Sequence, residues 1–297
     1  MPSFYRSGKP LPSPPSLPES PLSILPQGRA TASVNGIDIH YAIEGEGPVV
    51  ALVHGLACGR RMWFHQVRAL RSRYTVLAYD QRGHGLTSAP NEKATYSPGH
   101  LSRDLAGLLD HLGIERCHLV GFSMGGGSAL SLAAARPRRV RSLVLADVGA
   151  SSENLAATQW LVRRWVALAQ SGGMPAVAED MLRSEFFKAY ANRDARSRRH
   201  MRALIMATPL RGLESTLTEV LAKRASLFRM HRVLESISVP TLVLTGADDY
   251  VCRKAAHLLA HAIPHAREVR LAGVGHMSPL EAPAAFNEKV AAFLAQV

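Results

Sequence analysis

A serine between glycines, an aspartate and a histidine are the residues of this chain whose types and surroundings could do chemistry together. Ser123 lies in Gly121-Phe122-Ser123-Met124-Gly125, between the apolar run Cys117–Phe122 and the helix-prone stretch Ala129–Ala135. A serine on such a strand-to-helix corner stands clear of a sheet, and flanking glycines remove the Cβ atoms that would collide there. A serine hydroxyl is a weak nucleophile at neutral pH; it needs an adjacent base, held in one tautomer by a carboxylate. Gly273-Val-Gly-His276-Met-Ser-Pro-Leu-Glu offers the base, and Thr245-Gly-Ala-Asp-Asp-Tyr offers Asp248 and Asp249 as acids. Each segment follows an apolar run, so the groups belong at strand ends, where open α/β sheets place their sites.

Those groups need a sheet to carry them. Ala32–Val34 and Ile37–Ile43 flank Asn35-Gly36, a hairpin dipeptide. Pro48–Val53, Thr75–Asp80, Cys117–Phe122, Val140–Asp147, Pro240–Thr245 and Glu268–Leu271 read as strands buried on both faces. Between them, Leu101, Leu105, Leu108 and Leu112 make a helical stripe, and Ala129–Ala135 and Ala284–Leu294 are helix-prone. Strands alternating with helices predict a mostly parallel sheet covered on both faces, with an antiparallel start. Residues 150–235 break the alternation with helical patterns alone, around Trp160–Ala169, Ala176–Tyr190, Arg198–Ala207 and Leu213–Phe228. The predicted division is a proline-rich tail over residues 1–30, an α/β core over 31–149 and 236–297, and an inserted helical lid over 150–235.

Composition narrows the function classes. The 297 residues are 47% hydrophobic and 20% charged, a balance that can bury a sizeable core. No apolar run is long enough to span a membrane and no secretory leader opens the chain, so a cytoplasmic protein is expected. Cys58, Cys117 and Cys252 fit neither a disulfide framework nor a metal site, and read as small buried hydrophobes. The formal charge of +12 is not accompanied by a nucleic-acid recognition motif, so no nucleic-acid partner is expected. Much of that charge falls in the lid, which carries 14 Lys+Arg against 8 Asp+Glu. Arg193, Arg196, Arg198, Arg199 and Arg202 there form a solvated helix face, or else attract an anionic substrate or an acidic acyl carrier.

The chain resembles the α/β-hydrolase superfamily from about Ser33 to Val297. Four segments carry the resemblance in the expected order: His54-Gly55-Leu56, Asp80-Gln-Arg-Gly-His-Gly-Leu-Thr-Ser88, Gly121–Gly125, and the Gly246-x-x-Asp249 and Gly275-His276 pair. It implies an α/β-hydrolase fold with Ser123 as nucleophile, His276 as base and Asp249, three residues after Gly246, as the acid in preference to Asp248. It also implies an oxyanion hole from the amides of Met124 and of Leu56 or Ala57, with His54, Gly55, Arg82, Gly83 and Gly85 shaping loops. Haloalkane dehalogenases and epoxide hydrolases of the superfamily use an aspartate where this chain has Ser123, which argues against those reactions. Carbon–carbon bond hydrolases typically follow the histidine with tryptophan, where Met277 stands. Cofactor-free haloperoxidases, acyltransferases and receptors that keep the fold share much of the same outline.

The function expected is cleavage of a small-molecule carboxylic ester or lactone through an acyl-enzyme, with no metal or organic cofactor. Trp160, Phe186 and Tyr190 are the expected substrate contacts from the lid; Trp165, Phe187 and Met206 are further candidates to line its pocket.

Overall fold

A computed structural model describes residues 29–149, 152 and 154–297 of the chain. The predicted tail therefore lies outside the described residues, apart from Arg29 and Ala30, which belong to the first strand instead. Among the described residues eight strands form one sheet: β1 (Arg29–Val34), β2 (Ile37–Glu44), β3 (Val49–Val53), β4 (Thr75–Tyr79), β5 (Cys117–Phe122), β6 (Val140–Ala146), β7 (Thr241–Gly246) and β8 (Ala266–Leu271). Their order across the sheet is β1-β2-β4-β3-β5-β6-β7-β8. β2 pairs antiparallel with β1 and β4, and all later pairings are parallel. The antiparallel start turns through Asn35 and Gly36, whose positive φ angles of 51° and 72° are those a tight hairpin requires.

Parallel neighbours need crossovers, and the crossovers cover both faces. Because strand side chains alternate, Val50, Leu52, Val120, Phe122, Val144, Leu242 and Leu244 enter one core, while Ala51, Val53, Leu119, Leu143, Leu145 and Val243 enter the other. Helices α1 (Phe64–Leu70) and, at the chain's end, Pro283–Leu294 pack into the first core through Val67, Phe286 and Val290. Helices α2 (Pro98–His111) and α3 (Met124–Ala135) pack into the second through Leu105, Leu108, Ala129 and Leu132. The Ser97 side chain caps α2 by accepting the His100 amide, with Pro98 at its first position.

Between β6 and β7 the described residues form no strand. They hold α4 (Leu155–Met181), broken at Gly173 with its φ of 62°, then α5 (Lys188–Ala191), α6 (Ala195–Met206), α7 (Leu210–Ser215), a π-helical turn (Thr216–Leu221) and α8 (His231–Glu235). Two expectations need correction. The helix expected over Ala176–Tyr190 stops at Met181 and resumes only at Lys188, and the one expected over Leu213–Phe228 stops at Leu221. In the latter, Ser226 donates from Oγ to the Ser152 carbonyl and accepts the Phe228 amide at 3.3 Å, a side-chain bonding pattern that replaces helical pairing. Three further stretches complete the α-helices: α9 (Arg253–Ala262) crosses from β7 to β8, and α10 (Ser278–Glu281) precedes α11, the terminal helix already described.

Candidate active site

Ser123 occupies the corner between β5 and α3 with φ 50° and ψ −116°, outside the regions favoured by side-chain-bearing residues. Its amide donates to the Ala146 carbonyl at 2.8 Å, which fixes the corner to the neighbouring strand. The glycines of the motif allow close approach: a Cβ on Gly125 would stand 2.3 Å from the Val53 carbonyl oxygen, and one on Gly121 would stand 2.6 Å from the Gly126 Cα.

The loops after β7 and β8 bring Asp249 and His276 to this corner. The Ser123 hydroxyl lies 3.1 Å from His276 Nε2, and His276 Nδ1 lies 2.9 Å from Asp249 Oδ2. A carboxylate accepts only, so Nδ1 carries the hydrogen and donates to Asp249, leaving Nε2 to accept from Ser123. Burial opposes charge on His276, yet Asp249 outweighs it, and the imidazole pKa ends above 6.5. Asp249 is itself buried, and the contact with His276 overcomes that burial to hold its carboxyl below the ordinary range. Asp248, the alternative acid, has no bond to His276 among the hydrogen bonds of the described residues.

Met124 opens α3, so its amide belongs to the first turn, where backbone donors have no intrahelical acceptor. Leu56 lines the same cavity as Ser123 and Met124. His54 holds the turn before it. Gln81 donates its amide to His54 Nε2 at 2.8 Å and its side-chain nitrogen to the His54 carbonyl at 2.6 Å, while Nδ1 donates to the Gly55 carbonyl at 2.7 Å. Full burial, its largest influence, lowers the His54 pKa and keeps it a neutral structural group. Arg82 is likewise structural, gripping Asp104 through two 2.8 Å bonds.

One acid at the site carried no signal in the sequence. Asp147, at the end of β6, is fully buried and has a positive φ of 49°. Its carboxyl accepts the Gly246 amide at 2.9 Å and the Ser278 hydroxyl, so it joins the loop that bears Asp249 to the one that bears His276. Burial, then the proximity of Asp249, raises its pKa well above the carboxylate range. Asp249, Cys252 and His276 are described residues whose donor atoms lie within 4.8 Å of one another, near enough to share a metal ion. Their bonds give these donors other duties, since Cys252 Sγ donates to the Asp147 carbonyl at 3.2 Å and burial raises its thiol pKa.

A cavity of about 600 Å³ opens over Ser123 and His276, walled by Leu56, Phe122, Leu161, Trp165, Phe186 and Phe187 among others. Phe122 and Phe186 flank the imidazole with ring centroids 5.3 and 5.1 Å away. Of the three expected contacts, only Phe186 lines this space. Trp160 is 58% exposed beneath the Arg164 guanidinium, because Thr158, Leu161, Val162 and Trp165 form the cavity-facing helical stripe and position 160 falls on the opposite face. Tyr190 is buried elsewhere, with its hydroxyl 2.9 Å from His200 Nδ1. Met206 packs against the core without lining the cavity. Within the basic stretch, Arg198 and Arg202 share Glu179, and Arg193 donates to the backbone carbonyl of Glu281, outside the insertion.

With this geometry in hand, the kinship is unambiguous. Residues 48–283 match the family model of the alpha/beta hydrolase fold. The chain is 31% identical over 262 residues, 86% of its length and 97% of the relative's, to the RutD protein of Pseudomonas savastanoi pv. phaseolicola, which is named for carbamate hydrolysis. Among solved structures, the enol-lactonase of Burkholderia xenovorans LB400 is 32% identical with a TM-score of 0.77, covering 90% of this chain and all of that one. A thermophilic esterase of Thermogutta terrifontis is 26% identical with a TM-score of 0.81, covering 91% of this chain and 99% of that one. No described helix is long and apolar enough to cross a membrane.

Proposed function

The chain belongs to the alpha/beta hydrolase fold family and is a hydrolase, and on that premise we propose that it cleaves a small-molecule carboxylic ester or lactone through an acyl-enzyme on Ser123. The observation that carries the proposal is the relay of hydrogen bonds from Ser123 Oγ to His276 Nε2 and from His276 Nδ1 to Asp249 Oδ2.

Ser123 Oγ attacks the carbonyl carbon as its proton passes to His276 Nε2. Asp249, ionised and in contact with Nδ1, stabilises the imidazolium. The former carbonyl oxygen gains negative charge, which the Met124 and Leu56 amides stabilise; a single well-placed donor of this kind is worth about 3 kcal/mol. The imidazolium returns its proton to the leaving alkoxide, and the alcohol departs. Water then attacks the acyl group with His276 again as base, restoring the Ser123 hydroxyl. In this scheme the helices between β6 and β7 act as the lid that shapes the acyl and alcohol pockets and limits water.

Turnover of p-nitrophenyl acetate and butyrate tests the assignment. Ser123→Ala should lower kcat by at least about 1,000-fold, with an unchanged melting profile; near-normal turnover in that variant rules Ser123 out as nucleophile.

A further inference from the structure

Helix α9 crosses to β8, the last strand of the sheet, and carries His257 and His261 four residues apart. That spacing sets two side chains side by side on one helical face. Both residues are exposed, so core packing does not account for them, and their ring centroids lie 4.0 Å apart with the planes tilted by 45°. Their contacts fix which ring nitrogens stay available. His261 Nδ1 donates to the His257 carbonyl at 2.8 Å; a carbonyl only accepts, so the neutral ring carries its hydrogen on Nδ1 and its lone pair on Nε2. Glu268 on β8 stands with Oε2 3.9 Å from His257 Nδ1, and a carboxylate there favours the same tautomer. Arg270 holds that carboxylate by donating from Nε to Oε1 at 2.5 Å.

We propose that His257 and His261 chelate one divalent transition-metal ion, Cu²⁺, Ni²⁺ or Zn²⁺, through their Nε2 atoms, with water completing the coordination. Imidazole suits these ions, whereas Mg²⁺ and Ca²⁺ call for oxygen ligands. Histidines that ligate a metal hold their other ring nitrogen to a backbone carbonyl or a carboxylate, which is the arrangement of His261 with the His257 carbonyl and of His257 with Glu268. Both ligands stand on a helix that is already formed, so engaging the second ring costs little further ordering and the pair holds an ion more tightly than either ring alone. The site is separate from the candidate triad. The Asp249 carbonyl accepts the Cys252 and Arg253 amides at the start of α9, so the ion would clamp the later turns of the helix that follows the acid's loop without touching the reacting groups.

The test titrates the untagged full-length chain with NiCl2, CuCl2 and ZnCl2, read by calorimetry and by thermal melts, with turnover of p-nitrophenyl butyrate measured alongside. One strong Ni²⁺ site per chain is expected, Cu²⁺ should bind more tightly than Ni²⁺ or Zn²⁺, and MgCl2 should leave the melting temperature unchanged. His257→Ala and His261→Ala should each weaken Ni²⁺ binding by about 10- to 100-fold. Without metal, each variant should melt like wild type, because both side chains are exposed. Turnover should be the same with the site filled and empty. No saturable Ni²⁺ binding by wild type, or an affinity that neither substitution alters, would overturn the site. So would a saturating loss of turnover that survives both substitutions, since that would put the ion on Asp249, Cys252 and His276. The proposal stands or falls independently of the hydrolase reading, which labelling of Ser123 decides.

Discussion

The Ser278 hydroxyl, two residues beyond His276, donates to the buried carboxyl of Asp147 at the end of a different strand. Through that bond and the one from the Gly246 amide, a single side chain joins the two loops that carry the acid and the base.

Removing that carboxyl leaves a buried amide and a buried hydroxyl without their acceptor. Asp147→Ala should lower stability by about 2–4 kcal/mol and reduce kcat on p-nitrophenyl butyrate with little change in KM. Because burial and Asp249 favour the uncharged acid at Asp147, Asp147→Asn should retain most of both, with its amide oxygen accepting from Gly246 and its NH2 donating to Ser278. Denaturant melts and steady-state kinetics check this; an Asn variant as damaged as the Ala variant would show that the negative charge is needed.

The acidic limb of kcat/KM should report His276, which must be neutral to take the Ser123 proton. Its pKa is raised above 6.5, so activity should be lost as pH falls through a midpoint above 6.5. Asp249→Asn removes the main raising influence while burial stays, so the midpoint should move down while kcat falls by about 10⁴-fold. A limb unmoved by this change would assign it to another group.

Two neighbouring glycines should respond oppositely. A Cβ on Gly125 meets backbone oxygens of Val53 and His54 at 2.3 and 2.4 Å, atoms that cannot move without shifting β3 and its loop. Gly127, within the same helix, has nothing within 4 Å of that position. Gly125→Ala should cost about 3 kcal/mol or more, and Gly127→Ala should be neutral or stabilise by up to about 1 kcal/mol. Thermal melts of the two variants decide.

The same contrast explains what was legible in the sequence. Where a local constraint dictates the residue, the chain announced it: Asn35-Gly36 for the hairpin, and glycines around Ser123 for close packing at the corner. Both faces of the buried strands are apolar, which revealed the sheet. The relay among Ser123, Asp249 and His276 could be anticipated because each stands just beyond a strand. Asp147 gave no sign, since its partner Ser278 is 131 positions away and only the fold brings them together. Trp160 was misjudged because residue type was weighed above phase: the stripe Thr158, Leu161, Val162 and Trp165 already places position 160 outward.

The central claim is that Ser123, activated by His276, forms the acyl-enzyme. Labelling with a fluorophosphonate followed by peptide mass spectrometry tests it most directly, because the probe needs an activated serine and assumes no substrate. One label per chain is expected, on the peptide containing Ser123, absent from Ser123→Ala and much slower in His276→Ala. A folded wild-type protein that takes no label, or takes it on another residue, would contradict the account.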